Sequence, residues 1–249
     1  ILSWVTTAAC DCKLEIRSKS KTAGRYILKT EALRDSTPQD ADRVAAYGLQ
    51  MEARRLRSQE TPDAMSQAAG KYEAALVVWK RLGDQAGQAA ALLDSGDLYF
   101  DLADAKRTLD AWDQSLALWR ALGRHTEEAW ALSNLALLNY ARGEKEKALE
   151  QYNQALVLHR AGGDRFWEAE TVNRIGWVYN AMDERQRAIE QHNMALPLRR
   201  EVGDRVGEAT TLNDLGRAYD DLGEKQRAVG LYEQALRLST ANETPMGAA

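Results

Sequence analysis

A repeat period of forty residues constrains this chain more than any other feature. Gly83, Gly123, Gly163 and Gly203 fall at that step, and so do Leu76, Leu116, Leu156, Leu196 and Leu236. Ala75, Ser115, Ala155, Ala195 and Ala235 make a third column, and the rings of Tyr72, Trp112, Tyr152, His192 and Tyr232 a fourth. Gly96, Ala136, Gly176 and Gly216 add a fifth, of small residues. Five columns in phase mark a repeat architecture, in which each unit buries its apolar faces only by stacking on its neighbours.

Each unit reads as two helices. In the last, Val206 to Leu222 carries Ala209, Leu212, Leu215, Gly216 and Tyr219 at spacings of three and four, one apolar stripe. Asp204 is the expected N-cap, and Gly223 the left-handed residue past the C-terminus. A second helix is predicted from Glu224 to Leu238, its stripe made by Ala228, Val229, Tyr232, Ala235 and Leu236. Gly96, Gly176 and Gly216 lie in mid-helix, where glycine costs about 1 kcal/mol against alanine. That cost implies a close approach, with the ring of the second helix filling the space.

Leu215-Gly216-x-x-Tyr219 followed by Ala228-x-x-x-Tyr232-x-x-Ala235 resembles the tetratricopeptide (TPR) pattern, and Ile175-Gly176-x-x-Tyr179 with Ala188 and Ala195 repeats it. The unit is longer than the usual 34 or so residues, and the extra length is expected in the second helix and in connections such as Val202-Gly203-Asp204-Arg205. Long units of this kind resemble those of kinesin light chain and of bacterial proteins that join TPR arrays to a CHAT (caspase-like) peptidase domain. Asn139 stands where Tyr is usual, and Thr108 and Ser115 where Ala is. The resemblance implies a mainly α fold, an α-α superhelix, with units at 85–124, 125–164, 165–204 and 205–240 and a flexible tail at 241–249. An irregular helix pair is expected over 37–84: one helix from about Gln39 to Arg57, then a second started by Pro62 and carrying Ala68, Tyr72, Ala75 and Leu76.

Residues 1–36 read differently. Lys13 to Arg17 alternates polar and apolar, and Arg25 to Thr30 forms a second such run, so a short β-hairpin is expected. A lone hairpin is marginal in water, which suggests the last strands of a β-sandwich. The segment 13–34 with Thr37 to Val44 after it resembles the junction in CHAT-type bacterial proteins, where a β-sandwich leads into the TPR array. The chain begins at Ile1 and reads as a piece of something longer or a processed product.

Composition excludes several function classes. Hydrophobic residues make up 45% and charged residues 28%, and the formal net charge is -4. Mixed charge of this kind is no footprint for nucleic acid. No apolar run approaches the roughly 20 residues that would span a bilayer. The two cysteines, Cys10 and Cys12, are too close for a comfortable disulfide and too few for zinc. His192 takes the ring column and is expected to pack; His125 in a connection and His159 at a helix end are expected to be solvated. No nucleophile–base order, phosphate loop or metal cluster appears, so neither catalysis nor a cofactor is expected, and the compartment is not written in the chain.

In TPR arrays the first helix of each unit lines the inner side. The resemblance places there Asp94 and Asp97; Trp130, Ser133, Asn134, Leu137 and Tyr140; Asn173, Arg174, Trp177 and Asn180; and Asn213, Asp214, Arg217 and Asp220. Asparagine can both donate to and accept from an extended backbone, and tryptophan is a frequent interface anchor. The expected peptide-binding groove is therefore Trp130, Asn134, Tyr140, Asn173, Arg174, Trp177, Asn180, Asn213 and Arg217. The TPR clamp for acidic C-termini is excluded, because Asp97, Thr210 and Asp214 stand where it needs Lys and Arg. The expected role is a non-catalytic scaffold for a protein or peptide partner. The alternatives are a recruiting arm for a CHAT-type peptidase domain and self-assembly through the apolar stripe of the last helix.

Overall fold

The computed structural model describes residues 37–243. The expected hairpin, Cys10, Cys12 and the end of the tail lie outside the described residues. Those described form ten α-helices: α1 (Pro38–Arg57), α2 (Pro62–Leu82), α3 (Gln85–Asp101), α4 (Ala105–Ala121), α5 (His125–Ala141), α6 (Lys145–Gly162), α7 (Arg165–Ala181), α8 (Arg185–Glu201), α9 (Arg205–Asp221) and α10 (Lys225–Glu243). They fall into two compact units, one ending at Ala91 and the other beginning at Leu92.

In the first unit α1 starts with a capping box: Asp40 N–H donates to Thr37 Oγ1, and Thr37 N–H donates back to the Asp40 carboxylate. Thr61 caps α2 in the same place, with Pro62 in its first turn. Trp79 is fully buried among Ala46, Ala75 and Ala91, and its Nε1 donates to Gln50 Oε1 at 2.8 Å. Gly87 makes room for it: a Cβ there would lie 2.4 Å from the Trp79 ring.

The second unit is an all-α helical-repeat solenoid. First helices (α5, α7, α9) alternate with second helices (α4, α6, α8, α10), and Tyr152 and Leu156 of α6 pack with Val172, Ile175 and Val178 of α7. Ile189 of α8 packs with Leu215 and Ala218 of α9 in the same manner. The mid-helix glycines do what their cost implied. A Cβ at Gly96 would lie 2.3 Å from the Trp112 ring, one at Gly176 2.5 Å from His192, and one at Gly216 2.6 Å from Tyr232. Asn139, the substitute for Tyr, is buried and donates to Gln151 Oε1 at 2.6 Å. Thr108 returns its hydroxyl to Asp104 O at 2.8 Å.

Two expectations need correcting. The extra length of each unit is shared by both helices: α7, α8 and α9 each have 17 residues. The last helix runs on to Glu243, past the expected end at Leu238. Glu243 occupies the column where Gly83, Gly123, Gly163 and Gly203 turn left-handed (φ 65, 63, 67 and 70), so the residue that ends each earlier second helix is missing here.

Candidate binding wall

Hydrogen bonds between carboxylates and amides tie α7 to α9 and α3 to α5 in the second unit. Asp214 on α9 is buried to 8% exposure and accepts from three donors: Asn173 Nδ2 at 2.9 Å, Trp177 Nε1, and Arg217 Nη2 at 3.3 Å. Asn173 Oδ1 in turn accepts from His192 Nδ1 at 2.7 Å. This order of donors needs the proton on His192 Nδ1. Burial pushes the His192 imidazole down to about 4, against the pull of Asp214, so it is neutral near pH 7. A second joint of this kind links α3 to α5. Asp97 Oδ1 accepts from Trp112 Nε1 at 3.1 Å and from Asn134 Nδ2 at 3.0 Å.

An ionic cluster joins α7, α8 and the N-cap of α9. Arg199 of α8 is 2% exposed and reaches Asp204 Oδ2 at 2.6 Å and Glu170 Oε2. Arg174 adds a bond to Glu170 Oε1 at 2.7 Å. Burial raises the Glu170 carboxyl, but Arg174 and Arg199 outweigh it and hold Glu170 below the ordinary carboxylate range.

The predicted site residues fall into three classes, buried, half-buried and exposed. Asn173 is 1% exposed and lies beneath the wall, its amide committed to Asp214 and His192. Asn134, Arg174 and Trp177 are half-buried, and each is anchored by a carboxylate. Tyr140 is half-buried against the core of α6 and α7. Trp130 is half-buried with its ring 6.3 Å from that of Trp167, and Asn180 is half-buried as well. Asn213 and Arg217 are exposed.

His159 corrects its expectation. It is 1% exposed, not solvated, and stacks on Trp167 with ring centroids 6.2 Å apart. Burial pushes its imidazole below the usual histidine range, with Asp164 and Glu168 pulling the other way. His125 is exposed at the start of α5. Sequence reasoning missed the buried roles of Glu170 and Arg199. The signal was present in the column Trp79, Trp119, His159 and Arg199, and in the residues eight positions on, Gly87, Glu127, Trp167 and Gly207.

Among the described residues no three His, Cys, Asp or Glu are grouped to hold a metal ion, and no helix is long and apolar enough to cross a membrane. What the wall offers is a row of amide, aromatic and guanidinium groups, several of them held by the carboxylates of Asp97, Glu170 and Asp214.

None of the curated proteins compared matches the chain. Solved structures do. BtubC (BKLC) from P. vanneervenii superposes with a TM-score of 0.66 at 21% identity, over 86% of this chain and 97% of that one. The nearly identical TPR-like repeats of a kinesin light chain-like protein from Podosopora anserina give 0.66 at 15% identity, over 82% and 99%. A Rap protein complexed with Competence and Sporulation Factor gives 0.68 at 15% identity, over 79% of this chain and 54% of that one. At such identities the likeness is one of fold. A family model for the tetratricopeptide repeat matches residues 87–161 and 167–241, more than half of the chain. The columns of small and ring residues, the stacked helix pairs and this match agree: the chain belongs to the tetratricopeptide repeat family.

Proposed function

We propose that the chain is a non-catalytic docking scaffold that holds an extended polypeptide segment along the wall of α5, α7 and α9. TPR arrays commonly serve as protein–protein interaction scaffolds, and the Rap protein similar in fold is a solved complex with a factor. The observation that carries the proposal is the anchoring of the wall. Asp214 and Asp97 fix Trp177, Arg217 and Asn134 before any partner arrives, which lowers the ordering cost of binding. Asn213 stands exposed beside them, and an asparagine side chain can pair with both the N–H and the C=O of a passing strand. Asn173 then acts as a positioning residue, through Asp214.

Affinity capture from native lysate with wild type and with Asn213→Ala/Arg217→Ala tests this. Both side chains are exposed, so the variant is expected to melt as wild type does and to lose the captured partner. Undiminished capture by a folded variant would remove the proposal. A second reading makes the array the recruiting arm of a CHAT-type peptidase domain. It rests on the resemblance of segment 13–34, and the test is whether the encoding gene carries a caspase-like His and Cys.

A further inference from the structure

Three joints link the successive first helices α3, α5, α7 and α9, and a carboxylate closes two of them. At α3–α5, Asp97 Oδ1 accepts from Trp112 Nε1 at 3.1 Å and from Asn134 Nδ2 at 3.0 Å. At α7–α9, Asp214 accepts from Asn173 Nδ2 at 2.9 Å and from Trp177 Nε1. The α5–α7 joint keeps the donors and lacks the acceptor. Forty residues on from Trp112 and Asn134 stand Tyr152 and Arg174, both of them donors, and forty on from Asp97 stands Leu137. Ser133 takes the column of Asn173.

The groups at this joint are short of an acceptor. Tyr152 is 1% exposed and Ser133 3%, and neither hydroxyl has a hydrogen-bond partner among the described residues. Burial pushes the Tyr152 hydroxyl up to about 12, against the pull of Arg174 beside it, so it keeps its proton and stays a donor. Arg174 is 18% exposed and donates from Nε to Glu170 Oε1 at 2.7 Å. Glu170 is shared with the buried Arg199. The stripe of α5 opposite Arg174, made by Trp130, Ser133, Asn134 and Leu137, carries no charge. A guanidinium has five N–H donors in a planar fork that matches a carboxylate. Three donors therefore meet at a joint whose one carboxylate is already divided between two arginines.

We propose that the α5–α7 joint takes an aspartate or glutamate side chain of the held segment, seated on Arg174 over Leu137, as Asp97 is seated at the α3–α5 joint. This rests on the docking role of the wall and names one group that the wall reads. α7 is the middle one of the three wall helices, so a segment lying along all of them continues past Arg174 on both sides. It presents a side chain there and not a chain end. Further helices flank α5 and α7 on both sides along the array, so the site does not depend on where the sequence stops.

The probe is a library of random peptides blocked at both ends, so that only side chains supply carboxylates. Crossing three first helices roughly 10 Å apart takes about nine residues of extended chain. Peptides of that length that the full chain retains are measured by fluorescence anisotropy, with each acidic residue in turn changed to its amide. One central acid is expected whose amide binds about tenfold more weakly. Arg174→Gln is expected to lose that difference. So is Leu137→Asp, which keeps Arg174 and supplies the acceptor from within. Equal binding of acid and amide by the wild-type chain, or a difference that survives in both variants, would overturn the proposal and leave the docking role of the wall standing. No retained peptide, or retention indifferent to Asn213→Ala/Arg217→Ala, would remove the docking role and this proposal with it.

Discussion

The joint between α6 and α7 and the joint between α8 and α9 occupy the same place in the repeat and are built from opposite chemistry. At α8–α9 a buried cation, Arg199, is held by Glu170 and Asp204, and Gly207 makes room for it: a Cβ there would lie 2.6 Å from its guanidinium. At α6–α7 the column holds His159, a smaller and neutral ring, and Trp167 fills the room that glycine leaves at the other joint. Trp130, in the column of Glu170, closes the aromatic side. At these two joints volume is matched and polarity is not: a large cation against glycine at α8–α9, a smaller neutral ring against tryptophan at α6–α7. An ionic joint confers orientation through its geometry at the desolvation cost of its charges; the aromatic joint instead buries both His159 ring nitrogens without a hydrogen-bond partner.

The first way to break this comparison is to remove the cation. Arg199→Met leaves Glu170 buried beside Arg174 alone and is expected to destabilise the chain by about 3 kcal/mol. Arg199→Met/Glu170→Met removes both charges and is expected to recover most of that loss, as read by urea unfolding. A double variant no better than the single would mean that the joint does not depend on charge balance.

The second, smaller effect is confined to acid. Burial holds the folded-state pKa of His159 below its unfolded value of about 6.5, so the unfolded chain takes up the proton first. Stability from keeping His159 neutral is present above that pH and falls as pH drops below it. His159→Phe is expected to flatten this loss between pH 7 and 5.5, with His192 unchanged in both chains. Equal slopes for the two would place His159 in solvent, like Arg199's exposed neighbour Arg200.

The smallest effect is expected at the exposed staples. Arg200→Ala, which removes a bridge from a side chain 53% exposed to Glu208, is expected to cost less than about 1 kcal/mol. A larger loss by thermal melting would show that the staple, and not the buried joint, holds α8 to α9.

Much of the fold was legible because helix pairing writes itself into short-range patterns. Gly96, Gly176 and Gly216 announced the close approach of Trp112, His192 and Tyr232, and Asp204 and Pro62 announced helix starts. The joints were not legible in the same way. Their column reads Trp79, Trp119, His159 and Arg199, so hydropathy hides it, and an arginine there looks solvated until the next first helix covers it. The wall was half legible. The sequence placed Asn173 among the groove residues of its helix, but its partner Asp214 lies 41 residues on, and only packing shows that the pair is buried.

The central claim is that α7 and α9 lock in register through a buried carboxylate–amide link, Asn173 to Asp214, which sets the wall before a partner binds. A double-mutant cycle on Asn173→Ala and Asp214→Ala, read by urea unfolding, tests it most directly. The predicted result is a coupling of about 1–3 kcal/mol between the two sites. Additive losses, within about 0.3 kcal/mol, would contradict it.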